Sequence, residues 1–141
     1  MRITRSGIAA EVPDLAEFVA RTTDSDRPAN SFYVQISFDD GNPAACLIFY
    51  SPTKQEDGTT LIYFGAAMHE AGWGRNAIND FIWTRQLILW IAFVGLKCDH
   101  LAAIVRPETK KVIRLLEIAK FTLNRKFTWQ GRQCLVYRLE D

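Results

Sequence analysis

The chain has 141 residues, 48% of them apolar, with 17 basic and 16 acidic side chains and a formal charge of +1. That length and apolar share suit one domain with a real core, and the near balance of charge excludes a nucleic-acid binder that works by bulk charge. The most apolar run, Leu87 to Leu96, is too short to span a bilayer and is bracketed by Arg85 and Lys97, so no membrane segment is expected.

Cys46, Cys98 and Cys134 lie far apart, with neither metal-ligand spacing nor an even count for a disulfide framework. They are expected to be buried thiols in a reducing compartment. The N-terminus shows no apolar signal-peptide core, which points to the cytoplasm.

In chain order, Ile3 to Ile8 reads as a first strand. Pro13 and Asp14 open a helix to about Arg21, in which Leu15, Phe18 and Val19 form the inward stripe. Thr22 to Asn30 is a polar loop. Ser31 to Phe38 alternates, with Phe32, Val34, Ile36 and Phe38 on one face, the period of a half-buried strand. Asp39 to Pro43 is turn chemistry, Ala44 to Tyr50 a further strand, Ser51 to Gly58 a loop and Thr59 to Ala67 another strand. The three strands suggest an antiparallel meander.

Helical periodicity begins near Ala77 and runs to Val94, with Gly95 as its stop. Its apolar residues cover most sides, which predicts burial by more than one neighbour. His100 to Val105 lacks polar alternation and reads as a central strand. Because a helix joins it to Thr59–Ala67, these two strands should run parallel. Arg106-Pro107 ends that strand, Glu108 to Ala119 forms a helix with Lys110, Lys111 and Arg114 outward, and Phe121–Trp129 pairs with Gln133–Leu139 as a hairpin. No repeat or low-complexity stretch interrupts a single domain.

The chemistry concentrates between the third meander strand and the long helix, in His69-Glu70-Ala71-Gly72-Trp73-Gly74-Arg75-Asn76. Free amides at a helix start, with the positive end of its dipole, form an anion site, and glycines let a pyrophosphate approach the backbone. The plainer reading is a turn that needs glycine only for its φ angle. His69 and Glu70 stand at the strand end as candidate proton acceptors, His69 because an imidazole titrates near neutrality; otherwise they are solvated loop residues. Tyr50 and Tyr63 could present hydroxyls, or simply pack. Trp83 and Trp90, seven apart on the helix, read as core, or as an interface if exposed.

The element order resembles the GNAT family of acetyl-CoA-dependent N-acetyltransferases. Val105-Arg106-Pro107-Glu108-Thr109-Lys110-Lys111-Val112 through Phe121 is similar to that family's strand, "V-x-P-x-N-x-x-A-x-x-L-Y-x-x-x-G-F" helix and following strand. Trp129 to Leu139 is similar to its last hairpin. The resemblance implies a mixed α/β (α+β) fold, with a central, mainly antiparallel sheet flanked by helices, and an acetyl-CoA cofactor. It places Gly72, Trp73, Gly74, Arg75 and Asn76 around the coenzyme A pyrophosphate, where the family has Q/R-x-x-G-x-G/A. His69 stands where Gln or Arg is usual, and Trp73 brings a large ring into that loop.

Further along, Leu116 occupies the place of the family's tyrosine proton donor, Thr109 that of asparagine, and Lys120 that of the glycine before Phe121. A leucine cannot donate a proton. Two functions stay open: a transferase acting on a coenzyme A thioester and an amine acceptor, or an inactive GNAT-fold module with a protein partner or a second copy of itself. The small size, the missing tyrosine and the apolar helix are also similar to small GNAT-like proteins of tailed bacteriophages, some of them virion components.

Overall fold

Strand alternation and helical stripes account for most of the elements in the computed structural model. It describes residues 1–23, 30–69, 77–129 and 131–139, with only the backbone of 77–81. They run β1 (Arg2–Ile8), α1 (Pro13–Thr23), β2 (Phe32–Ser37), β3 (Pro43–Phe49), β4 (Thr53–Lys54), β5 (Thr60–Met68), α2 (Ala77–Leu89), β6 (His100–Val105), α3 (Lys110–Ile118), β7 (Phe121–Trp129) and β8 (Arg132–Leu139). The strands are hydrogen-bonded in the order β1-β2-β3-β5-β6-β8-β7, with β4 paired to β5. Among pairings with a defined register only β5–β6 is parallel, as expected of strands joined through a helix. No described helix is long and apolar enough to cross a membrane.

The chain forms two compact units, Met1–Ser51 with Ala66–Thr84, and Pro52–Gly65 with Arg85–Asp141. In the first, Pro13 starts α1, Asp14 sits in its first turn and Arg21 in its last, each sign matching the helix dipole. Its stripe of Leu15, Ala16 and Val19 is buried with Val12, Tyr33, Cys46, Ile48 and Ala67. Arg5 of β1 grips the Asp14 carboxylate with both guanidinium nitrogens, tying strand to helix start. The turn between them depends on Gly7. Its φ is +154°, and a Cβ there would lie 3.0 Å from Glu11 Oε1, the oxygen that accepts the Ile8 amide.

In the second unit, Leu61–Phe64 of β5 pairs with His100–Ala103 of β6. Beyond β6, β8 and then β7 complete the hairpin foreseen from Phe121 onward. The α3 face bearing Leu116 and Ala119 is buried, while Lys110, Lys111 and Arg114 are exposed. Phe64 meets Phe121 edge-on at 5.8 Å, and Arg85 donates its Nε–H to the Ala119 carbonyl at 3.3 Å, satisfying a free carbonyl at the end of α3.

Several expectations need correction. The polar loop after Tyr50 contains the short strand β4, too brief for alternation to reveal. The helix after Ala77 is α-helical only to Leu89; Trp90–Gly95 is π-helical, with the Leu96 amide donating to Ile91 O at 2.8 Å. Nor is that helix buried all round, since Ile82 is 51% exposed and Trp90 and Val94 each 59%. The α3 helix starts at Lys110, because Pro107 and Glu108 form a turn closed by Thr109, whose Oγ1 donates to Arg106 O at 2.6 Å.

Lys120 explains one departure from the family pattern. Its φ is +72°, the left-handed conformation that glycine adopts without steric cost. An L-residue there loses about 1–2 kcal/mol, offset in part by the greater unfolded-state entropy of glycine. Lys120→Gly should therefore stabilise the protein by about 0.5–1 kcal/mol, read as a higher midpoint in urea with an unchanged m-value.

Candidate functional site

β5 carries its odd-numbered residues to one face by the two-residue period of a strand. Ala67, on that face, is buried under α1. His69 follows two residues later, and its backbone N–H donates to Ala44 O at 2.9 Å, fixing the main chain at that point. The imidazole, half-buried, stacks on Phe18 of α1 with ring centroids 4.0 Å apart and planes 7° from parallel.

Burial lowers the His69 pKa, so the ring is neutral at physiological pH. Neither ring nitrogen makes a hydrogen bond with a described residue. A neutral imidazole with an unengaged nitrogen can accept a proton. Phe18 was read from sequence only as part of the core stripe of α1. The available signal was the coincidence of that stripe with the face of Ala67 and His69, which becomes visible only once helix and strand are placed together.

The other candidate proton acceptor, Glu70, and the proposed pyrophosphate residues Gly72, Trp73, Gly74, Arg75 and Asn76 lie outside the described residues. Their boundaries are described: β5 ends at Met68 and the 13-residue α2 begins at Ala77. A strand end and a helix start thus bracket the segment that carries these residues.

The remaining candidates resolve into structural roles. Tyr50 packs against the core under α1. Tyr63 lies over Leu61, Ala102 and Val136, and its hydroxyl accepts from Arg125 Nη2 at 3.0 Å, with that guanidinium 5.1 Å above the Phe127 ring. All three cysteines are buried and free. Burial pushes the Cys46 thiol up to about 12 and Cys98 to about 11, and raises Cys134, so none offers a thiolate nucleophile at neutral pH. Among the described residues no group of three His, Cys, Asp or Glu is placed to hold a metal ion. Leu116, 7% exposed, fills its place on α3 with apolar volume.

Solved structures share this architecture. A variant of the spermidine N-acetyltransferase SpeG from Vibrio cholerae superposes with a TM-score of 0.66 at 9% identity, over 99% of this chain and 94% of that one. An aminoglycoside N(6')acetyltransferase from Legionella pneumophila gives 0.61 at 14% identity, over 93% and 72%. The Campylobacter jejuni N-acetyltransferase PseH, in complex with acetyl coenzyme A, gives 0.58 at 18% identity, over 93% and 80%. No family model matches the sequence, and no curated protein matches it. At these identities the likeness establishes the fold, which is the GNAT acyl-CoA N-acyltransferase fold.

Leu116→Tyr tests whether space exists at the family's proton-donor position. With Leu116 buried, the larger ring should overpack and destabilise by about 1–3 kcal/mol. Chemical denaturation reads this directly, and an unchanged midpoint would show room beside the leucine.

Proposed function

We propose that the protein is an acetyl-CoA-dependent N-acetyltransferase that acts on an amine of a small molecule or protein. The observation that carries this reading is His69 at the end of β5, half-buried, its pKa lowered by burial and its ring nitrogens free of hydrogen bonds among the described residues. Amides of Gly72 to Asn76 would hold the pyrophosphate, each glycine leaving the backbone open to it.

His69 takes the proton of the attacking ammonium, directly or through one water, so that the free amine is the nucleophile. Acetyl-CoA supplies the activated acetyl thioester, whose C–S bond breaks as the C–N bond to the amine forms. Glu70, next in the chain, is the alternative acceptor of that proton. Leu116 donates nothing, so the thiolate leaves without a tyrosine at this position. Coenzyme A thiol is acidic enough that this costs rate without forbidding the reaction, a general acid contributing about 10²–10⁴-fold.

A second reading, a GNAT-fold module that has lost catalysis and serves an interaction, for instance in a bacteriophage particle, is favoured by two observations. Leu116 is buried where a proton donor would stand, and Trp90 and Val94 are both 59% exposed on the π-helical segment. Exposed aromatic and aliphatic residues of this kind concentrate at interfaces.

Thiol release from acetyl-CoA, followed with polyamine, aminoglycoside and peptide N-terminal amines, separates the two. The transferase should release thiol with at least one amine class, and His69→Ala should lower turnover by about 10²–10⁴-fold. Because burial lowers the His69 pKa, the base loses its proton with a midpoint below the ordinary value of about 6.5. Its rate should fall on acidification with a midpoint below that value, an acid limb absent in His69→Ala. No thiol release with any class would favour the interaction module.

A further inference from the structure

An imidazole that works as a base is ordinarily oriented by a hydrogen bond from its second nitrogen to a carboxylate or carbonyl. His69 has no such partner among the described residues. It is restrained instead in two other ways. The amide bond to Ala44 O fixes the main chain, and the Phe18 ring, 4.0 Å away and within 7° of parallel, fixes the plane of the imidazole. Phe18 is itself anchored, since its flanking stripe residues Leu15 and Val19 are 4% and 1% exposed in the core beneath α1. Stacking covers one face of the imidazole and leaves both nitrogens, which lie on the ring edge, uncovered by Phe18.

We propose that Phe18 is the positioning residue for His69, holding the plane of the imidazole by ring stacking in the role that a hydrogen-bonded carboxylate fills elsewhere. This rests on reading His69 as the base. The geometry dictates what substitutes can do. Tyrosine preserves the stack. Leucine keeps apolar volume against the core cluster beneath α1 but has no ring, so the imidazole gains torsional freedom. Misaligned groups lose about 10²-fold for displacements near 1 Å. Loss of alignment acts on turnover and leaves binding of the thioester alone, because Phe18 is not among the residues assigned to it.

The test is proton NMR on histidine-labelled full-length protein with Phe18→Leu and Phe18→Tyr, alongside steady-state kinetics. There are two histidines, His69 and His100, so His100 serves as the internal control. A stacked ring at this distance must shift the His69 Cε1–H and Cδ2–H resonances upfield. That shift should persist in Phe18→Tyr and vanish in Phe18→Leu, while the His100 signals stay in place as evidence that the variant is folded. On turnover, Phe18→Leu should lower kcat by about 10- to 100-fold with KM for acetyl-CoA unchanged, and Phe18→Tyr should restore it. His69 resonances without a ring-current shift, or unaltered by Phe18→Leu, would overturn the positioning role whatever the kinetics show. A ring-current shift lost in Phe18→Leu with kcat unmoved would retain the stack but overturn its role in turnover, whereas loss of activity in His69→Ala separately tests His69 as the base.

Discussion

The hydrogen-bonding of β5 is the constraint on which the rest depends. Between Leu61 and Phe64 it is a parallel partner of β6, and just beyond its last residue the His69 amide bonds to Ala44 at the start of β3. A parallel partner requires a crossover, which here is the long helix between Ala77 and Gly95. The strand end at Met68 and the helix start at Ala77 are the described limits of the segment that joins them. The same strand, by its two-residue period, sends Ala67 under α1 and His69 against Phe18.

Around that strand the departures from the family pattern acquire physical meaning. Lys120 keeps the left-handed backbone of the glycine it replaces, so the α3–β7 turn survives at a steric cost. Thr109 turns its hydroxyl back to Arg106 O and leaves the start of α3 without a side-chain cap. Leu116 contributes core volume in place of a hydroxyl. The first two keep the fold with different chemistry. Only the third bears on the proposed chemistry, since a leucine cannot donate a proton.

Much of the architecture was legible in the sequence because it rests on local periodicity. Phe32–Val34–Ile36 alternates and marks β2, although the strand is not half-buried as expected, since Tyr33 and Ser37 on its other face are 0% and 2% exposed. Leu15 and Val19 repeat at helical spacing, and Gly131 marks the hairpin turn between Trp129 and Arg132. Thr53–Lys54 was missed because two residues carry no period, and the π-helical end at Trp90 because apolar content says nothing of hydrogen-bond register. Burial of the long helix was overestimated for the same reason: Trp90 and Val94 are apolar but have no covering layer among the described residues. At the site, His69 was legible as a residue at a strand end. Its pairing with Phe18, fifty-one positions away, arises from α1 lying on the β5 face, a tertiary relation that neither local pattern contains.

Association with acetyl-CoA is the premise of the functional account, and isothermal titration calorimetry with a parallel thermal melt measures it most directly. The account predicts saturable one-site binding, and at about a hundred times the Kd a stabilisation of roughly 2.7 kcal/mol. Absence of heat together with an unmoved melting temperature at millimolar acetyl-CoA would contradict it, leaving the GNAT fold in place without the chemistry.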